Sequence, residues 1–491
     1  MYYIGIDLGT SALKLLLMDE AGRIQSIVSR SYPLSMPRPG WSEQDPADWV
    51  RAAFEGIREL TADVDRASVR GIGVAGQMHG LVALDETDRV LRPAILWNDG
   101  RTEEETAWLN GTVGTELLAA ETGNIAFAGF TAPKLLWMRK QEPELFRRIA
   151  RIMLPKDYLV YKLTGVHATD CSDASGMLLF DVEHRRWSEK MLELCGLRQE
   201  QMAGVYESSD AVGTLLPEIA GELGLPQNVL VAAGAGDNAA AAVGTGTVGE
   251  GRCSLSLGTS GTFFLSGERF TAPANHALHA FCHADGGWHF LGCELSAASC
   301  LGWWTSLSGS GDPSSAQAGI REESLGRNSV FFLPYLMGER TPHNDAFARG
   351  VFAGMRMDST REDLTQAVLE GVAFGLRDAL EIARAAGLEV RSAGLSGGGA
   401  KSPLWRRILA NILDLELTLP ATEQGPGMGA AMLAAVACGR FPDVRTAARE
   451  LLQGQNPEHT VPDRELVRLY DERYQVYRSL YPALKESFRR M

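Results

Sequence analysis

Apolar residues open the chain in three strand-length runs, Tyr2 to Leu8, Leu13 to Met18 and Arg23 to Tyr32. Only Gly9-Thr10-Ser11-Ala12 and Asp19-Glu20-Ala21-Gly22 separate them. Connections this short predict antiparallel hairpins, because a parallel crossover needs about a dozen residues or more. A nucleotide-binding βαβ unit at the amino terminus is thereby excluded. The period then changes. Asp45-Pro46 supplies an N-cap and a first-turn proline, and Val50, Phe54, Ile57 and Leu60 follow at helical spacing. Gly71 to Ala75 reads as a strand ending in Gly76-Gln77-Met78-His79-Gly80, and Leu91 to Leu96 as another ending in Trp97-Asn98-Asp99-Gly100-Arg101. Both polar clusters fall at strand ends, where α/β folds place ligands.

Near residue 250 the plan starts again. Arg252 to Leu257 reads as a strand, Gly258-Thr259-Ser260-Gly261 as a turn, Thr262 to Leu265 as a second strand and Trp288 to Cys293 as a third. The tetrapeptides Leu8-Gly9-Thr10-Ser11 and Leu257-Gly258-Thr259-Ser260 are identical and each interrupts a hairpin, which predicts two related α/β domains facing one another. Their expected extents are 1–249 and 250–491. A long helix is expected from Arg361 to Ala386, opened by a Thr360-x-x-Asp363 box. Val390 to Leu395 is expected as a strand ending in Ser396-Gly397-Gly398-Gly399-Ala400, and Gly425 to Val436 as a glycine-opened helix. From Asp463 a charge-laced helix carries Leu466, Leu469, Tyr470, Tyr474, Tyr477 and Tyr481 along one side, a face read as structural.

The two Gly-Thr-Ser turns offer small side chains and backbone N–H groups, which close approach to phosphate oxygens requires. A pair of them suggests a clamp on a polyphosphate. Asp7, beside the first turn, either positions a hydrated Mg²⁺ or caps its own turn; the pairing of the turns favours the metal. Asp237, in Gly234-Ala235-Gly236-Asp237-Asn238, begins an Ala-rich helix. It can be an N-cap, a base accepting a hydroxyl proton during phosphoryl transfer, or both. His79 reads equally as a structural histidine or as a ligand for a hydroxyl. Trp97 is read as packing and Asp99 with Arg101 as a local ion pair. Gly397-Gly398-Gly399 suits adenine against backbone or an ordinary turn, and Gly425-Pro426-Gly427-Met428-Gly429 could complete that pocket or let helices approach closely. Gly244-Thr245-Gly246-Thr247-Val248-Gly249 matches a dinucleotide-binding pattern but follows a helix and precedes a strand, the reverse of the required order. There is no Walker A sequence. The loop 310–324 shows no interpretable pattern.

Composition narrows the classes further. The 491 residues are 45% hydrophobic and 22% charged, a globular balance for two or three domains. A net charge of -14 argues against non-specific nucleic-acid binding, so anionic ligands must meet local donors. Seven scattered cysteines without a Cys-x-x-Cys pair suggest free thiols in a reducing compartment. Met1 to Gly9 does not resemble a signal peptide, and Leu295 to Gly311 is too rich in Ser, Thr and Gly for a membrane span. The expectation is a cytoplasmic protein with no membrane partner.

Taken together, Gly5-Ile6-Asp7-Leu8-Gly9-Thr10-Ser11, Ser256-Leu257-Gly258-Thr259-Ser260-Gly261 and Ser396-Gly397-Gly398-Gly399-Ala400 resemble the two phosphate motifs and the adenosine motif of the FGGY carbohydrate kinases. The resemblance spans nearly the whole chain. It implies two duplicated actin/hexokinase/Hsp70-like (ribonuclease H-like) α/β domains, with mixed sheets flanked by helices and an active-site cleft between them. Within the family, Gly40-Trp41-Ser42-Glu43-Gln44-Asp45-Pro46, Gly76-Gln77-Met78-His79-Gly80, Ile95-Leu96-Trp97-Asn98-Asp99-Gly100-Arg101, Leu154-Pro155-Lys156-Asp157-Tyr158, Gly236-Asp237-Asn238 and Leu333-Pro334-Tyr335-Leu336 with Gly338-Glu339-Arg340-Thr341-Pro342 are most similar to bacterial xylulokinases. Glycerol kinases typically carry Arg-Glu where this chain has Met78-His79, which moves the expected substrate toward a ketopentose. The resemblance implies Asp237 as proton acceptor and Asp7 as the residue serving Mg²⁺ through water. It implies Met78, His79, Asp237 and Asn238 as sugar contacts, and Gly9, Thr10, Ser11, Gly258, Thr259, Ser260, Gly398, Gly399 and Ser402 as ATP contacts. The expected reaction is transfer from MgATP to D-xylulose. The alternatives are a kinase for another ketose or a polyol such as ribulose or glycerol, or an actin-like nucleotide switch without chemistry. The resemblance also allows a homodimer.

Overall fold

A computed structural model describes residues 1–272, 276–419, 424–453 and 457–491. The opening runs form β1 (Tyr2–Leu8), β2 (Ala12–Asp19) and β3 (Ile24–Ser31), paired antiparallel in chain order as their short connections require. They join β4 (Val69–Gly76), β5 (Ala211–Thr214) and β6 (Leu230–Ala232) in a mixed sheet ordered β5-β6-β4-β1-β2-β3, with Ala235–Gly236 also pairing β4. β1 runs parallel to β4, with Asp7 opposite Ala75 and Leu8 opposite Gly76.

A second mixed sheet repeats this order. Its strands are β7 (Arg252–Leu257), β8 (Gly261–Gly267), β9 (His279–Cys282), β10 (Trp288–Glu294), β11 (Ser392–Ser396), β12 (Leu417–Thr418) and β13 (His459–Thr460). β7, β8 and β10 pair antiparallel in sequence as β1, β2 and β3 do, and β7 runs parallel to β11 as β1 does to β4. The tetrapeptide repeat therefore marks a repeat of topology. β9 adds to the edge beyond β10 and was not expected from the sequence.

Helix ends follow their capping residues. Asp45 accepts from the N–H of Ala47 to start Pro46–Leu60, which buries Trp49, Phe54, Ile57 and Leu60. Fully burying each such side chain is worth about 1.5–3 kcal/mol. Thr360 and Asp363 form the expected reciprocal box at the start of Arg361–Ala385. Arg464–Phe488 buries Tyr470, Tyr474, Tyr477 and Tyr481. Their hydroxyls donate to Glu370, Asp378 and Asp345, or pair with Tyr335, so this face is structural.

The helix Gly425–Ala437 lies late in the chain yet packs on β1 and β4 of the first sheet and on Asp237–Gly244. Its glycines permit this. A Cβ at Gly429 would stand 1.8 Å from the carbonyl oxygen of Ala240, and one at Gly5 would stand 1.9 Å from that of Gly427. Of the two readings of the 425–429 glycines, close helix packing is what the structure shows. The expected strand 91–96 shrinks to Ala94–Ile95, paired with Glu43–Gln44. Pro93 has no N–H for a ladder, and Arg92 turns inward to Glu43 and Glu142.

Candidate active site

The ends of β1 and β4, with the short segment before Asp237, meet at one edge of the first sheet, because Gly236 pairs with Gly76 and Gly76 with Leu8. The register brings Asp7 and Asp237 to this edge, and Met78 packs on Gly236 and, with His79, on Gly176. Asp237 is the first residue of its helix, and Gly236 occupies the N-cap, so the N-cap reading of Asp237 is corrected. One carboxylate oxygen, Oδ1, accepts from the backbone N–H of Asn238 at 2.7 Å and from its side-chain amide at 3.1 Å. Burial, together with repulsion from Asp7, pushes the Asp237 carboxyl up to about 7, against the lowering effect of the Asn238 N–H. Burial likewise raises Asp7 to about 6, partly offset by Lys14. Two carboxyls both raised by burial, one of them further by its neighbour, suit one basic task and one cation-facing task.

His79 has a left-handed backbone (φ 69°), a conformation costing roughly 1–3 kcal/mol for a non-glycine residue. Its surroundings hold it there. Its carbonyl accepts from Lys134 Nζ at 2.7 Å and Thr131 Oγ1 at 3.1 Å, and its ring stacks on Phe130 at 4.7 Å. Nδ1 lies 2.7 Å from the carbonyl oxygen of Gly176. A carbonyl can only accept, so Nδ1 carries the proton and Nε2 is left as an acceptor. Burial first, then the Lys134 cation, lowers the imidazole to about 3, so it stays neutral. Met78 is buried, with its thioether against Gly236. From the second half of the chain, Arg340 lies over Phe127, 4.6 Å from its ring centre, and acts electrostatically on His79.

The first Gly-Thr-Ser turn is tied to this group. Thr10 Oγ1 donates to Gln77 at 3.3 Å, and Gln77 and Tyr32 both donate to the carbonyl of Gly9. Gln44 donates to the carbonyl of Thr10 at 2.6 Å, and Ser11 is exposed. Trp97 is 48% exposed and gives its indole N–H to Thr10 Oγ1 at 2.9 Å, so the packing reading of Trp97 is corrected. Asp99 and Arg101 do more than pair locally. The bidentate pair is buried, Asp99 also accepts from the N–H of Ser42, and Arg101 stacks on Trp41 at 3.7 Å.

The second turn sits over a helix start. The carbonyl of Gly258 accepts from the N–H of Ala298, and that of Thr259 from the N–H of Ala297 and from Ser299 Oγ; Thr259 and Ser260 are exposed. Beside it a cavity of about 650 Å³ is lined by Ala298, Leu301, Gln317, Gly398, Gly399 and Ser402, among others. Gly397 can turn the chain into this cavity because its φ of 88° suits glycine and a Cβ there would meet the carbonyl of Leu257 at 2.5 Å. Ser402 caps Pro403–Leu413 and donates to Gln317 at 2.6 Å. The uninterpreted loop 310–324 thus contributes Pro313, Ser314, Gln317 and Ala318 to the same wall. Lys134, Phe130, Gln44, Gln77 and Gln317 all support the site without having been singled out for it. Gln44 and Gln77 stand inside the quoted motifs, whereas Phe130, Lys134 and Gln317 lie outside every one and carry no sequence signal.

Residues 2–244 match the N-terminal domain of the FGGY family of carbohydrate kinases, and residues 253–438 match its C-terminal domain. The chain belongs to that family. This FGGY kinase is 43% identical to a xylulose kinase of Escherichia coli (strain K12), over 98% of this chain and 99% of that one. It is 44% identical to one of Klebsiella pneumoniae over 89% and 90% of the two chains. A solved structure described as a "xyloylose kinase" from Brucella ovis superposes with a TM-score of 0.94 and 44% identity, covering 99% of this chain and 100% of that one. The two-domain FGGY fold is confirmed by these likenesses. Among the described residues no helix is long and apolar enough to cross a membrane, and the seven cysteines are free.

Proposed function

We propose that this FGGY kinase transfers the γ-phosphoryl group of ATP to the primary hydroxyl of D-xylulose, giving D-xylulose 5-phosphate and ADP. The observation that carries this reading is the Asp237–Met78–His79 edge: a carboxyl with raised proton affinity beside a neutral imidazole whose Nε2 accepts. Near full-length likeness to xylulose kinases supports the choice of sugar. The sugar binds against Met78, His79 and Asn238, with a hydroxyl donating to Nε2. Asp237, ionised, accepts the proton of the attacking hydroxyl as its oxygen forms the new bond to phosphorus and the bond to ADP breaks. Adenosine occupies the cavity at Gly398, Gly399 and Ser402, and the phosphates reach the turns Gly9-Thr10-Ser11 and Gly258-Thr259-Ser260.

The donor set fits a hydrated Mg²⁺. Asp7 is a half-buried carboxyl whose proton affinity burial raises and whose ionised form a cation would favour. Asp7 would hold Mg²⁺ through water beside the phosphates. The ion would neutralise phosphate charge there. We take the domains as 1–249 and 250–491, place the enzyme in the cytoplasm where ATP is available, and admit a homodimer, which sedimentation would decide.

ADP release with MgATP alone and with D-xylulose, L-xylulose, D-ribulose, L-ribulose, glycerol or gluconate tests the reading. Strong stimulation by D-xylulose above the others, lost in Asp237→Ala, is expected. Preference for another sugar overturns the substrate, and sugar-independent turnover that Asp237→Ala spares overturns the chemistry in favour of a nucleotide switch.

A further inference from the structure

Behind the sugar edge lies a buried ionic group that the proton transfer does not touch. Lys156, in the first turn of Pro155–Thr164, is completely buried. Its Nζ lies 2.6 Å from Asp157, 2.9 Å from Asp170 and 3.9 Å from Asp173, all of them also buried, and donates to the carbonyl of Ala233 at 3.2 Å. Taking such ions out of water costs several kcal/mol each, and apolar packing of equal volume is often as stable. Stability alone therefore gives a weak account of this group, and its connections suggest another.

Asp157 closes on its own helix, accepting from the N–H of Leu154. Asp170 reaches outward. Its Oδ2 accepts from the N–H of Ser172 at 2.8 Å, from Ser172 Oγ at 2.5 Å and from Ser208 Oγ at 2.7 Å. Ser172 Oγ in turn accepts from the N–H of Gly236 at 3.1 Å, and the carbonyl of Ser208 accepts from the N–H of Gly234 at 3.1 Å. The segment 233–236 is thus held at Ala233 by Lys156, at Gly234 through Ser208 and at Gly236 through Ser172. It leads directly into Asp237.

We propose that Lys156 and Asp170 are positioning residues for Asp237, which clamp the 233–236 segment and so aim the Asp237 carboxylate at the sugar hydroxyl. Asp173 is outside the clamp. It is the carboxyl farthest from Nζ, and neither of its buried oxygens has a hydrogen-bond partner. With one ammonium set against three carboxyls closed off from water, Asp173 is the one that keeps its proton. The proposal rests on the sugar-kinase reading above.

Steady-state kinetics of full-length Asp170→Asn, Ser172→Ala and Asp173→Asn with MgATP and D-xylulose test it. An amide at 170 has one oxygen, so it loses either the ammonium or the serine ties. A misplacement on the order of 1 Å can cost about 100-fold in rate. Asp170→Asn is expected to lower kcat by about 10- to 100-fold while leaving KM for sugar and for ATP within about twofold. Ser172→Ala, which removes the tie to Gly236 and the hydroxyl's bond to Asp170 but leaves the Lys156–Asp170 pair in place, is expected to show the same split, and it carries the test if Asp170→Asn does not fold. Asp173→Asn is expected to keep kcat within about twofold, because it replaces a neutral acid by a neutral amide. Wild-type kcat in Asp170→Asn or Ser172→Ala, an equal loss in Asp173→Asn, or a joint rise of both KM values with kcat unchanged overturns the positioning role. A wild-type protein that phosphorylates none of the sugars overturns the underlying reading as well, and the two failures are thereby told apart.

Discussion

Asp237→Asn should make the ligand-free protein more stable as it removes the proposed base, and the gain should depend on pH. In the unfolded chain an aspartate titrates near about 3.9; in the fold, burial and Asp7 raise Asp237 to about 7. A carboxyl whose folded value is raised imposes no penalty well below the unfolded value, where it is protonated in both states. The penalty grows as pH rises between the two values and is complete above the folded one. At about 1.4 kcal/mol for each tenfold, its ceiling is about 4 kcal/mol. Asp237 retains some exposure at the sheet edge, and solvent screening there reduces the figure to about 2 kcal/mol. Asparagine keeps the Oδ1 acceptor that binds the N–H and side chain of Asn238, so only the charge is removed. The assay is thermal melting in chelator without nucleotide, comparing variant and parent at pH 5 and pH 8. Because a two-domain chain need not melt in one step, the quantity read is the shift of the transition that changes. For a unit of about 250 residues, 2 kcal/mol corresponds to about 4–8 °C. That shift is expected at pH 8, with a smaller shift at pH 5. A gain equal at both pH values, or a variant less stable than its parent at pH 8, refutes the account of Asp237 as a strained carboxyl.

Two further outcomes follow from single contacts. The His79 imidazole is held neutral, lowered to about 3, so the sugar Kd of Asp237→Asn, which lacks the carboxyl raised to about 7, should stay flat from about pH 5.5 to 8.5; a tenfold rise toward the acid end in that variant would show that the ring protonates where the structure keeps it neutral. Gly429→Ala puts a Cβ 1.8 Å from the backbone of Ala240 and should cost at least about 3 kcal/mol, whereas Gly302→Ala, with open space around its Cβ inside Ala298–Ser308, should stabilise by up to about 1 kcal/mol; chemical denaturation that ranks them the other way round would sink the packing argument.

What was legible in the chain was whatever local chemistry decides alone. Tight turns forced the hairpins at 2–31 and 252–267, and Asp45, Thr360 and Asp463 marked helix starts that the structure keeps. Groups whose meaning is set by distant partners were not legible. Lys134 and Lys156 look like surface lysines in a sequence, yet each is buried, because local partners are joined by the carbonyl of His79 for the one and by Asp170 and the carbonyl of Ala233 for the other. Trp97 looked like packing because tryptophan usually is, but here its indole N–H is needed by Thr10. The 310–324 loop has no period to read, since it lines a cavity with single residues such as Gln317 instead of presenting a continuous face. The glycines at 425–429 stayed ambiguous until their distances to Ala240 and Gly5 were known.

The acidity of the chain poses a last problem, since a net charge of -14 must coexist with a polyphosphate ligand and neither Gly-Thr-Ser turn contains a cation. The carbonyls of the turns resolve it. Each carbonyl oxygen left facing the cleft would repel phosphate, and in both turns these oxygens are turned to partners on the protein side. Tyr32 and Gln77 engage Gly9, and Gln44 engages Thr10. Ala298 engages Gly258, and Ala297 with Ser299 engages Thr259. On the proposed reading, a turn of small residues whose carbonyls are so occupied would offer phosphate its remaining N–H groups, making an anion site without net positive charge. The first turn reaches this state with side chains and the second with the N-terminus of Ala298–Ser308. The repeated tetrapeptide therefore keeps the same turn in both sheets, and the residues around it hold that turn in place in different ways, a pairing the proposed phosphate clamp would use.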